Sequence, residues 1–117
     1  MNSNKLTGSL GETAAAEYLR KKRYRIVGMN YACRYGEIDL IAETREHIVF
    51  VEVKSRKSAA FAEAREFVTS AKQRRIAATA ELWLMANPTE KQPRFDVIEI
   101  YRDEGIVRSI HHIENAF

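Results

Sequence analysis

Apolar residues recur along this chain with two periods, and the changes from one to the other mark its elements. From about Gly8 the spacing is helical: Leu10, Ala14, Ala15, Tyr18 and Leu19 return every three or four residues until a basic run begins at Arg20. The residues ahead of it are polar, and 1–7 are expected to be disordered. "YRIVGMNYACR" (24–34) then reads as a strand with a kink or turn near Gly28 and Asn30. "GEIDLIAE" (36–43) and "IVFVEVKSR" (48–56) read as two further strands. Only the polar turn "ETREH" (43–47) separates them, so they are expected to pair as an antiparallel hairpin. The stretch "KSAAFAEAREFV" (57–68) has no clean period and stays unassigned.

From about Ser70 to Ala86 the helical period returns, with Ile76, Ala77, Ala80, Trp83 and Leu84 in one stripe and Asn87-Pro88 as the stop. Ser70 and Gln73, three residues apart, have the form of a capping box. "RFDVIEIY" (94–101) reads as a strand, "RDEG" as a turn in which Gly105 can take positive φ, and "IVRSIHHI" (106–113) as a last strand. The order is helix, three strands, helix, two strands. Two helices covering a mixed central sheet make an α/β or α+β layered domain.

The 117 residues, 45% of them apolar, are enough for one core, so a single domain over 1–117 is expected. The lone Cys33 can close no internal disulfide and reads as a packing residue in a reducing compartment. No stretch approaches the roughly 20 apolar residues of a membrane span, and the N-terminus lacks a signal-peptide pattern, so a soluble, cytoplasmic protein without a membrane partner is expected. The net charge of +3 fits a nucleic-acid partner without requiring one. The basic residues are clustered in "RKKRYR" (20–25) and "KQRR" (72–75). Alone, each cluster reads as a solvated helix face; beside a site that cuts phosphodiesters, each would track phosphates.

Candidate chemistry lies in the most apolar strand, which nevertheless carries Glu52 and Lys54 among Ile48, Val49, Phe50, Val51 and Val53. Strand alternation puts Glu52 and Lys54 on one face with Phe50, about 6–7 Å apart. On the preceding strand, Glu37, Asp39 and Ile41 are expected to share a face opposite Ile38, Leu40 and Ala42. If the paired faces align, Asp39 and Glu52 converge with Lys54 beside them. Two carboxylates suit Mg²⁺, which takes hard oxygen ligands, and an ammonium group can offset charge that builds on a phosphate. The competing reading of the same residues is a cross-strand salt bridge on a half-exposed face.

Asp39 followed by Glu52-Val53-Lys54 resembles the D…(D/E)xK signature of the PD-(D/E)XK nuclease superfamily, with Ile38 where the superfamily name has proline. More closely, "GETAAAEYL" (11–19), "GEIDLIA" (36–42), "FVEVKSR" (50–56) and "RFDVIEI" (94–100) resemble the bacterial YraN-like family of uncharacterised proteins. The resemblance implies a restriction-endonuclease-like α/β fold, with an α-β-β-β-α-β core and an extra C-terminal strand, similar to archaeal Holliday junction resolvases. It implies a Mg²⁺-dependent endonuclease, with Mn²⁺ able to substitute, that acts on DNA, branched DNA included, and leaves a 3′-hydroxyl. Carried over by position, Asp39, Glu52 and the Val53 carbonyl would hold the metal and Lys54 would be the catalytic lysine. Glu12 would be the helix acid that assists the metal, and Glu37 an outer carboxylate. Without the resemblance, Glu12 reads as a solvated carboxylate near a helix N-terminus.

The positions expected to contact nucleic acid are Arg20, Lys21, Lys22, Arg23, Arg56, Lys72, Gln73 and Arg75. Lys72 and Gln73 share the arc of Ile76 and Ala80, so capping and snorkelling is their competing reading. Asp96 reads as structural, a partner for Arg94. His111 and His112 point to opposite faces of a strand and His47 lies in a turn, so the three histidines are not expected to bind a common metal. A two-fold homodimer would suit a substrate with two strands to cut. The rivals are a non-catalytic nucleic-acid-binding or assembly module that keeps the fold, and an RNA-processing nuclease.

Overall fold

The computed structural model of the chain describes residues 3–57 and 68–117, with backbone alone for 3–9 and Lys57. Its elements are α1 (Ser3–Lys21), β1 (Arg25–Cys33), β2 (Gly36–Glu43), β3 (His47–Lys57), α2 (Ser70–Ala86), β4 (Gln92–Asp103) and β5 (Ile106–Ile113). The five strands form one sheet in the order β1-β2-β3-β4-β5. All neighbours are antiparallel except β3 and β4, whose parallel pairing needs a long crossover, and α2 lies on that crossover. This is the restriction-endonuclease-like α/β layout that the resemblance implies, with a mixed sheet, two helices and an added C-terminal strand.

Each face of the sheet buries its own core. Ala15, Ala16 and Leu19 of α1 pack on Leu40, Ala42, Val49, Val51, Ile98 and Ile100. Ile76 and Ala80 of α2 pack on Ile38, Ile41, Ile48, Phe50 and Val97. Because β2, β3 and β4 are covered on both sides, they read in sequence as nearly continuous apolar runs. Phe50 anchors the α2 side, edge-on to Trp83 at 5.9 Å between ring centres and stacked on Phe95 at 5.6 Å.

Several boundaries differ from the pattern in the sequence. α1 starts at Ser3, ahead of Gly8, and so takes in most of the stretch expected to be disordered. Once a turn is nucleated, each added residue extends a helix whether or not it has a face to bury. The N-cap of α2 is Thr69, whose hydroxyl accepts from the Lys72 backbone N–H at 3.2 Å, so the Ser70–Gln73 capping box is out by one residue. Ala77 is exposed, and Thr79 is fully buried. His47 opens β3 instead of lying in the turn. The unassigned stretch 57–68 falls largely on 58–67, outside the described residues; Val68 itself is buried in the α2-side core.

The difference that bears on function is in β2. Ile38 and Ile41 pack into the same core and Leu40 and Ala42 into the other, so alternation breaks between Ile38 and Leu40, at Asp39. The expectation that Glu37, Asp39 and Ile41 line one face is therefore incorrect. Asn30 lies opposite Asp39, between the pairs Met29↔Leu40 and Tyr31↔Ile38, and has φ +52°. The register shift between Ile26 and Gly28 and this left-handed residue make up the expected kink in β1. Two adjacent strands thus depart from regular pleating at the same level, and Asp39 sits there.

Candidate active site

The β2–β3 ladder runs from Glu43↔Ile48 to Leu40↔Val51 and includes no pair for Asp39. The Asp39 side chain reaches across instead, and its Oδ2 accepts the backbone N–H of Val53 at 2.7 Å. That bond aims the carboxylate at the point where the strands part. α1 brings a second acid there because it approaches β3 closely at Gly11, where a Cβ would lie 3.2 Å from Ser55 Cβ. The next residue is Glu12. Oxygens of Glu12, Glu37 and Asp39 all lie within 4.8 Å of one another.

Glu52 is buried, and its Oε1 is held by two ammonium groups, Lys72 Nζ at 2.5 Å and Lys54 Nζ at 3.2 Å. Lys54 comes from the same strand and Lys72 from the first turn of α2, where the Thr69 cap fixes the backbone. Burial pushes the Lys54 ammonium below its usual pKa, helped by the neighbouring Lys72 and opposed by Glu52. Lys72 is raised: burial works against its charge, but its bonds to Glu52 and Lys54 and the charges of Glu52 and Asp39 together outweigh that. Asp39 is pushed up to about 7, first by burial and then by the charge of Glu52, with Glu12 and Glu37 adding to the rise and the Val53 N–H opposing it. At neutral pH this corner needs a proton or a cation. Three hard carboxylate donors gathered at one point fit a divalent ion such as Mg²⁺ or Mn²⁺.

Glu37, Asp39, Glu52 and Lys72 open onto one cleft of about 600 Å³, whose remaining wall comes from Cys33–Gly36, Arg75 and Ile76. A family model described as the uncharacterised protein family UPF0102 matches residues 11–100. The chain belongs to UPF0102. Its UPF0102 relatives include a protein of Caldanaerobacter subterraneus subsp. tengcongensis, 44% identical over 98% of this chain and 97% of that protein. Another, from Alkaliphilus oremlandii, is 44% identical over 97% of this chain and 99% of its own length. A third, from Geobacter metallireducens, is 45% identical over 97% and 93%. The UPF0102 match contains Glu12 and every charged group of the cleft, from Arg34 to Arg75.

The predicted residues divide into those the fold gathers and those it does not. Asp39 and Glu52 share the cleft, Lys54 adjoins Glu52, and Val53 gives Asp39 its backbone N–H. Glu37 belongs to the same oxygen cluster as Asp39 and Glu12. The Lys72 side chain lies in the cleft, whereas Gln73 has the capping role: its Nε2 donates to the Val68 carbonyl at 3.0 Å. Arg75 lines the cleft, and Arg56 is half-buried two residues beyond Lys54.

Arg20 and Lys21 end α1 and Lys22 and Arg23 follow it, at least roughly 12 Å along the helix axis from Glu12 in its middle. Lys22 is engaged there with Tyr18 Oη at 3.2 Å and His112 Nδ1 at 3.3 Å. Asp96 is structural, bonded by Arg94 at 2.8 and 2.9 Å, by His112 Nε2 at 2.7 Å and by the Asn115 N–H at 3.0 Å. His111 turns to Glu99 at 3.3 Å. Sequence reasoning missed Arg34 and Tyr35, which wall the cleft from the β1–β2 turn. Their signal is the Arg-Tyr pair immediately before the acidic strand.

Proposed function

We propose that this UPF0102 protein is a divalent-metal-dependent endonuclease that hydrolyses DNA phosphodiester bonds, with branched or otherwise structured DNA as its substrate. The supporting observation is the convergence of the Glu12, Glu37 and Asp39 carboxylates beside a cleft that also holds Glu52 and Lys72, with Lys54 paired to Glu52. Asp39, Glu12 and Glu37 would hold Mg²⁺ or Mn²⁺, with Glu52 at the adjoining position. The ion when bound supplies Lewis-acid polarisation of a phosphoryl oxygen and a more acidic water. Lys54 places a positive charge next to the acids, where it offsets charge that develops on the phosphate oxygens. Its lowered pKa, caused first by burial, also suits it to orient or exchange a proton with a water. Lys72 keeps its proton and holds Glu52 in place.

The pairing of Glu52 with both lysines favours one rival, a non-catalytic module in which these charges only stabilise the fold. An assay of cleavage with Mn²⁺ on single-stranded, duplex and four-way-junction DNA, with an RNA strand alongside, separates the readings. Hydrolysis by the wild type that falls at least about a hundredfold in Lys54→Ala, prepared in the same way, supports the nuclease. Equal residual hydrolysis in the two, or none in either, overturns it.

A further inference from the structure

We infer that the Arg34–Tyr35 turn and the exposed side of α2 at Arg74 and Arg75 take the substrate strand, with a nucleobase that is unpaired next to the cut stacked on Tyr35. This rests on the nuclease reading and names the substrate feature that the site prefers. Tyr35 and Arg75 line both the carboxylate cleft and an adjoining hollow of about 320 Å³, whose other walls are Ala71, Arg74 and Ala78. The hollow is therefore continuous with the candidate active site. Among the described residues no acid lines it, and its alanines let a strand approach the helix closely.

The ring is held ready. Tyr35 is 40% exposed, unusual for a large aromatic side chain, and Arg34 braces it with a hydrogen bond to Oη at 2.8 Å and its guanidinium 4.8 Å from the ring centre. The turn is fixed against α2 at Gly36, where a Cβ would meet Thr79 Oγ1 at 3.4 Å and Arg75 Cβ at 3.7 Å. Lys22, Arg25, Lys54, Lys72, Lys91 and Arg94 all form ion pairs, whereas among the described residues Arg34, Arg74 and Arg75 form none. Cations without acid partners beside an exposed aromatic ring are what a single strand recognises: phosphates take the charge, and a base takes the ring. In a perfect duplex the bases are already stacked on one another, so the ring selects an unpaired nucleotide at a branch, flap or single-stranded stretch.

The test is fluorescence anisotropy of the full chain with Ca²⁺ in place of Mg²⁺, on a labelled single strand and on the blunt duplex of the same sequence. Tyr35→Ala should weaken single-strand binding about tenfold and change duplex binding little, while Tyr35→Phe, which keeps the ring, should stay near wild type. A 2-aminopurine base in the strand should be quenched by wild type and Tyr35→Phe but not by Tyr35→Ala. Paired Arg74→Ala/Arg75→Ala should weaken both DNAs more than paired Arg20→Ala/Arg23→Ala. An unchanged single-strand affinity in Tyr35→Ala, or an equal loss on the duplex, overturns the inference whatever the cleavage assay gives. Tyr35-dependent binding without hydrolysis in Mn²⁺ would support this surface and sink the nuclease reading alone.

Discussion

At the scale of single residues, two aspartates of this protein sit in opposite electrostatic environments. Asp39 faces other carboxylates and is raised to about 7, chiefly by burial. Asp96 is buried too, which alone would raise it, but His112, Arg94 and the Asn115 N–H together hold it below the usual carboxylate range. The two should therefore affect stability with opposite signs. For Asp39 the folded pKa lies above the unfolded one, so the metal-free protein loses stability as pH rises from about 4 to about 7 and stays lower above that. Asp39→Asn keeps the acceptor for the Val53 N–H and removes the charge. It is expected to stabilise the metal-free protein by roughly 2 kcal/mol at pH 8, with the gap closing near pH 4, as read by urea melts at both pH values. For Asp96 the folded pKa is depressed, so its contribution is present above the unfolded value and is lost as pH falls below it. Asp96→Asn leaves Arg94 and His112 without their anion and should cost about 3–5 kcal/mol at pH 7 in the same melts. A destabilised Asp39→Asn would instead mark the cleft carboxylates as structural.

At the scale of elements, Thr69 and Ser70 offer a clean contrast. Thr69→Ala removes the hydroxyl that caps α2 and should cost about 1 kcal/mol, whereas Ser70→Ala should cost almost nothing, measured as the shift in thermal midpoint of each. The same contrast marks the limit of what the chain discloses in one dimension. The β2–β3 hairpin, the span of α2 and the acid-x-Lys strand are local patterns of two- and 3.6-residue period, and they are legible because tertiary packing agrees with them. The face on which Asp39 lies is not local. It depends on the break in alternation at Asp39 together with the positive φ of Asn30 on the neighbouring strand, and strict period-two reading has no means to foresee that. The basic runs mislead for a similar reason: a cluster of charges along the chain reports density, and only the fold decides that Lys72 turns into the cleft while Lys22 turns to Tyr18 and His112.

At the scale of the whole molecule, the sheet works as a partition that collects charges from both sides at one corner. α1, packed against one face, delivers Glu12 to Asp39 and Glu37, and α2, packed against the other, delivers Lys72 to Glu52, where β2 and β3 separate. Leu19 on α1 and Phe50 on β3 are nearly inaccessible, so both faces of the sheet are closely packed. No helix among the described residues is long and apolar enough to cross a membrane. The proposed DNA face runs from this corner over α2, which gives a salt-dependence prediction. The log-log slope of single-strand affinity against salt should become shallower by about 1.4 when Arg74 and Arg75 are both changed to Ala, at about 0.7 for each phosphate no longer neutralised. It should hardly change for Arg20→Ala/Arg23→Ala, and anisotropy titrations from low to moderate salt read both.

The most direct measurement is a Mn²⁺ titration of the metal-free protein, followed by calorimetry or by the loss of the free-ion paramagnetic signal, on wild type and Asp39→Asn. The expected result is saturable binding in the wild type that vanishes in the stabilised, fully folded variant. Binding of equal strength in both proteins, or in neither, would contradict a cation site built from Glu12, Glu37 and Asp39.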